Sequence, residues 1–187
     1  GGLGRRPYKV VVTMGKLHQK VALVTGASKG IGLAICEALA GEGAKLMMSA
    51  RNESNLVQAA DKLRSRGAEV ATQSADVGDA EQVQRLFEAV DSTFGRIDLL
   101  VNNAGAFDGG PLEDLSPADW DKVIATNLTG PFLCTQQAMR RMKPQGSGRI
   151  INIGSISAQR VRPHSAAYSA SKFGLWGLTQ VTSLEGR

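Results

Sequence analysis

Gly26, Gly30 and Gly32 separate an apolar run from a helix-forming one, and no other feature constrains the fold as tightly. Val21 to Val24 reads as a buried strand, and Leu33 to Ala40 as the body of a helix. A strand that turns through glycines into a helix makes a phosphate site. The glycines let the backbone approach a pyrophosphate, and the helix N-terminus supplies free N–H groups and a positive dipole end. The spacing is Thr25-Gly26-x-x-x-Gly30-x-Gly32, not the common dinucleotide fingerprint G-x-G-x-x-G.

Strand-like and helix-like segments then alternate. Lys45 to Ala50 reads as a second strand, and Asn52 caps a helix to about Arg66 that buries Leu56, Ala59, Ala60 and Leu63 and ends at Gly67. Glu69 to Thr72 reads as a third strand, followed by a helix from Asp79 with Val83, Leu86, Phe87 and Val90 at helical spacing. Ile97 to Val101 is a fourth strand, running into Asn102-Asn103-Ala104-Gly105. Ser116 and Pro117 open one long helix to about Met142, Gly148 to Ile153 is a fifth strand, and a last helix runs from near Ser165 towards Glu185. This order predicts an α/β fold: a doubly wound parallel sheet flanked by helices, with ligands beyond the strands' carboxyl ends.

The 187 residues suit one domain, taken as residues 14–187. Residues 1–13 do not fit the strand–helix alternation of the remaining chain and lack a signal peptide's apolar core; Met14 is expected to be the start, with a non-native or disordered leader before it. Of the net charge of +5, Arg5, Arg6 and Lys9 in that leader account for all but +2, so no nucleic-acid partner is expected. No apolar run is long enough to cross a membrane. Cys36 and Cys134 lie in apolar helical contexts and read as packing residues, which points to a reducing, cytoplasmic setting; no metal site is expected.

Carbonyl reduction needs a hydride at carbon and a proton at oxygen. A phenol, with a reference pKa of about 10, is a poor proton donor or base unaided. Lys172 lies one helical turn beyond Tyr168 on the same face, where its charge favours phenolate. With Tyr168-x-x-x-Lys172 in place, the chain resembles the classical short-chain dehydrogenases/reductases, most closely their beta-ketoacyl-carrier-protein-reductase-like branch. The motifs stand in order from Lys16 to Arg187: the glycine loop, Asp76-Val77, Asn102-Asn103-Ala104-Gly105, Asn127, Ser155 and Tyr168-x-x-x-Lys172.

The resemblance implies a Rossmann-type fold, a nicotinamide cofactor and alcohol–carbonyl interconversion. It implies a catalytic tetrad in which Tyr168 is the general acid/base, Ser155 hydrogen-bonds the substrate oxygen, Lys172 also holds the nicotinamide ribose, and Asn127 anchors a relay water. It further implies that Gly26, Ser28, Lys29, Gly30, Ile31, Gly32, Arg51, Asp76, Val77, Asn102, Ala104 and Gly105, with Tyr168 and Lys172, bind the cofactor. Gly109, Gly110, Arg160 and Arg162 are expected to border the substrate pocket. Where NAD-selective members carry an acid, this chain has Ser49 or Ala50, and Arg51 and Lys29 are placed to grip a 2′-phosphate; NADP(H) is expected over NAD(H).

Members of such a family run to about 250 residues, so the sheet is expected to lack its C-terminal strands and helices. A homodimer or homotetramer is expected through Phe132, Met139, Phe173 and Trp176, acting on a small-molecule substrate. Two other readings stand beside the enzyme. One is a non-catalytic nucleotide-binding or scaffold fragment. The other is an extended-family lyase or epimerase, whose T-G-x-x-G-x-x-G loop the chain lacks.

Overall fold

The computed structural model describes residues 15–107 and 109–186; the expected leader and Met14 lie outside them. Five parallel strands form one sheet: β1 (Val21–Thr25), β2 (Lys45–Ala50), β3 (Val70–Ser74), β4 (Leu99–Asn102) and β5 (Arg149–Asn152). Their spatial order is β3-β2-β1-β4-β5, so the order reverses between β1 and β4. A crevice opens beyond the strand ends at such a reversal.

Side chains alternate faces along a strand, and a sheet covered on both sides needs apolar residues on each. Val21 and Leu23 of β1 enter one core, and Ala22 and Val24 enter the other. The first core is closed by Val83, Leu86, Phe87 and Val90 of α3 (Ala80–Phe94) and by Cys134, Ala138 and Met142 of the helix before β5. The second is closed by Cys36 of α1 (Gly30–Gly41) and by Leu56, Ala59, Ala60 and Leu63 of α2 (Glu53–Arg64). The caps are those expected: Asn52 accepts from the Asn55 N–H, Asp79 from those of Glu81 and Gln82, and Ser116 from that of Asp119.

Several boundaries differ from the sequence reading. β3 extends to Ser74 because β2 pairs with it as far as Ala50–Ser74. β4 starts at Leu99, two residues later, where Asp98 takes the Val21 N–H on its carboxylate. The helix expected from Pro117 to Met142 divides into α4 (Pro117–Ile124), a π-helical turn (Ala125–Thr129) and α5 (Gly130–Gln145). Pro131 explains the break: it offers no N–H to the carbonyl of Asn127 four residues back, and its ring crowds that carbonyl. α6 (Ala166–Glu185) packs against this wide turn, so closely that a Cβ at Gly174 would lie 2.7 Å from Leu128.

Candidate active site

The glycine loop is tied to β4 as well as to its own strand. Thr25 Oγ1 donates to the Val101 carbonyl and accepts from the N–H groups of Asn103 and Ala104, each at 3.1 Å. The Asn103 amide donates to the carbonyls of Thr25 and Gly26. Gly26 has φ of 64°, and a Cβ there would lie 2.9 Å from the Ala104 Cα. A Cβ on Gly32 would fall on the Gly26 carbonyl oxygen, whereas Gly30, at φ of 56°, faces open space. Among the described residues no side chain caps α1 at Lys29, which leaves its first-turn N–H groups without a side-chain acceptor.

A cleft of about 450 Å³ follows this loop, bringing together Gly26, Ser28, Lys29, Gly30, Arg51, Asp76, Val77, Ala104 and Gly105 of the predicted residues. Ile31 stands exposed beside it and Gly32 lies buried beneath. Asn102 does not reach it: its buried amide braces β4 against β5 by donating to Asn152 Oδ1 at 2.8 Å and to Thr135 Oγ1. Its neighbour Asn103 lines the cleft instead. The Asp76 carboxylate turns inward to accept the Gly78 N–H. Ser49, Ala50, Asn52, Asn55, Ala75 and Thr126 complete the lining, and the buried Ser49 Oγ has no hydrogen-bond partner among the described residues.

These features fit a nucleotide with phosphates. There is an uncapped helix N-terminus, an open glycine, a buried hydroxyl awaiting a partner and two cations at the rim.

The second cleft, about 460 Å³, is lined by Tyr168 and Ser155 together with Phe107 and Arg162. Gly109, Gly110 and Arg160 are not in its lining. Ser155 Oγ accepts the Ser157 N–H at 3.1 Å, which leaves its own proton to donate. Phe107 meets Tyr168 edge-on, with ring centroids 5.3 Å apart.

Lys172 is only 7% exposed, and its Nζ donates to the Ile153 carbonyl at 2.8 Å. It lies 5.6 Å from the centre of the Tyr168 ring, and burial pulls its pKa below the usual lysine value. Asn127 is fully buried in the π-helical turn. Its Oδ1 accepts the Ala106 N–H at 2.7 Å, and its Nδ2 donates to the Ala106 carbonyl and to Ser171 Oγ. Ser171 Oγ in turn donates to the Tyr168 carbonyl at 2.7 Å. Both amide hydrogens of Asn127 are thus occupied, and its side chain joins the Phe107 loop to the Tyr168 helix. Ser171 lies outside the residues that the sequence motifs single out, although it adjoins Lys172; Thr25 opens the glycine motif, but its bonds to β4 have no local signal.

Among the described residues there is no cluster of metal-ligating side chains, and no helix is long and apolar enough to cross a membrane. Burial pushes both the Cys36 and Cys134 thiols up to about 12, so neither is a nucleophile near neutrality.

The family model described as short chain dehydrogenase matches residues 20–187. D-threitol dehydrogenase of Mycolicibacterium smegmatis is 43% identical, over 91% of this chain and 65% of that protein. The 3-oxoacyl-[acyl-carrier-protein] reductase of Synechocystis sp. is 41% identical, over 92% of this chain and 70% of that one. A crystal structure of an actinorhodin polyketide ketoreductase variant with NADPH superposes with a TM-score of 0.87 at 41% identity, covering 89% of this chain and 65% of that one. The chain thus spans about two thirds of the length of the curated relatives it matches.

Proposed function

The chain belongs to the short-chain dehydrogenase family, and from that premise we propose that it is an oxidoreductase interconverting a small carbonyl compound and its secondary alcohol with NADP(H). The observation that carries this reading is the buried Lys172 ammonium beside Tyr168, on a helix whose tyrosine shares a cleft with Ser155. The single domain is taken to extend over residues 14–187.

The nicotinamide, when bound, supplies or accepts the hydride at the substrate carbon. Gly26, Ser28, Gly30 and the start of α1 would hold its phosphates, Asp76 and Val77 its adenine side, and Lys29 and Arg51 a 2′-phosphate. In the reductive direction Tyr168 gives its phenolic proton to the carbonyl oxygen, and the buried Lys172 cation stabilises the phenolate left behind. Ser155 donates a hydrogen bond to the same oxygen as negative charge develops there. Asn127 and Ser171 hold the Phe107 loop and the Tyr168 helix in register. The phenolate regains its proton from solvent before the next turnover, which balances one hydride and one proton per carbonyl reduced.

Steady-state assays over a panel of ketones and alcohols test the assignment. Tyr168→Phe is expected to lower kcat by at least about a thousandfold while cofactor affinity stays within about twofold. Lys172→Ala is expected to damage both. A Tyr168→Phe protein that keeps near wild-type kcat would remove tyrosine from the mechanism.

A further inference from the structure

The cleft beside Tyr168 has apolar residues in its lining, Phe107, Ile156 and Pro163. Arg162 is the one charged side chain in that lining among the described residues, and no carboxylate faces it there. The Arg162 guanidinium has no ion pair and no hydrogen bond among the described residues.

The backbone that carries it is fixed with some care. The buried Ser165 Oγ donates to the Arg162 carbonyl at 2.7 Å and lies 2.9 Å from the buried Ser169 Oγ. Since the Ser165 proton goes to Arg162, Ser169 is the donor in the second contact. Pro163 follows with its ring-locked φ, and His164 takes a left-handed φ of 60°, an uncommon state for a residue with a Cβ. Strained backbone of this kind gathers at ligand sites. Arg162 is thereby fastened to the first turn of α6, the helix that carries Tyr168.

We propose that the substrate carries an anionic group, in its simplest form a carboxylate, which the Arg162 guanidinium holds while Tyr168 and Ser155 address the carbonyl. The inference rests on the oxidoreductase reading above and narrows it to oxo acids and the matching hydroxy acids. A planar guanidinium fits a carboxylate through two parallel hydrogen bonds. The apolar part of the lining suits the carbon chain between the two polar ends. Because Arg162 stands at the solvent-exposed rim, the preference it confers is about tenfold rather than thousands.

Acetoacetate, levulinate and 5-oxohexanoate set a carboxylate at increasing distance from a ketone, and each is compared with its methyl ester with NADPH as reductant. At least one acid should exceed its ester about tenfold in kcat/KM. Arg162→Gln should abolish that preference by raising KM for the acid and leave the ester within about twofold, and Arg162→Lys should keep part of it. Acids no better than their esters, or an Arg162→Gln protein slowed alike on both, overturn the proposal.

Calorimetric titration of the same acids into the Tyr168→Phe protein separates binding from turnover. Binding of an acid that Arg162→Gln removes, with no counterpart for its ester, upholds the anion site even if Tyr168 proves dispensable to the reaction; only the oxidoreductase mechanism then falls. Absence of such Arg162-dependent binding overturns the anion site whatever the turnover.

Discussion

At the end of β2, Ala50 leaves no carboxylate to meet a ribose, while Arg51 and Lys29 stand exposed on the same cleft. Two cations and no acid at the end of β2 favour a phosphate on the 2′-oxygen. NADPH is therefore expected to exceed NADH at least about tenfold in kcat/KM, or roughly 1.4 kcal/mol. The Ala50→Asp, Arg51→Leu double variant should erode or reverse that ratio, and equal efficiency with both cofactors would refute the roles given to Lys29 and Arg51. Tyr168 and Lys172 were legible in the sequence because their relation is local, one turn apart on one helix. Ser171 was not, because its partner Asn127 lies 44 positions away; Asn103 stands in a motif, but nothing local shows the bond its amide makes to Thr25 across 78 positions. Only the sheet order brings such pairs together.

Among the elements, the glycine loop leaves little freedom at Gly32, where a methyl would fall on the Gly26 carbonyl oxygen. Gly32→Ala should push the loop off the N-terminus of α1. Nucleotide affinity is expected to fall more than about tenfold, with a stability loss of about 1–3 kcal/mol, read by NADPH fluorescence titration and urea melts. Gly30→Ala has open space and only its positive φ to contend with, so about 1 kcal/mol is expected there. Most element boundaries followed from caps and apolar spacing, since those are local signals. The π-helical turn had a local signal too: Pro131, four residues after Asn127. It went unread because the apolar pattern carries on smoothly through the break.

For the molecule as a whole, Asp98 fastens the start of β1 to the approach to β4. Its carboxylate accepts from the Val21 N–H at 3.0 Å, from Arg96 and from Lys20. Burial alone would raise its pKa, but the hydrogen bonds from Arg96, Val21 and Lys20 outweigh it and hold the group below the usual 3.8. A depressed carboxylate adds stability above its unfolded pKa and loses it as pH falls through the folded one. Asp98→Asn should therefore cost about 1–3 kcal/mol near neutrality. The gap from wild type should close below about pH 4 in denaturant melts. Phe132, Phe173 and Trp176 are 46, 45 and 60% exposed on α5 and α6, whereas Met139 is half-buried beside β5. Light scattering at micromolar concentration is expected to find a dimer or tetramer, and a monomer would count against that face.

The Asn103 amide that closes the glycine loop also sets the timing of its assembly. A ribosome releases Thr25 and Gly26 with their carbonyls unclaimed, and 78 further positions must emerge before Asn103 can bond the Thr25 carbonyl. α1, β2 and α2 can dock on β1 meanwhile, since they come directly after it in the chain. The cradle formed by Thr25, Gly26 and Asn103 is thus complete only with β4 beside β1, the same pairing that joins the two halves of the sheet.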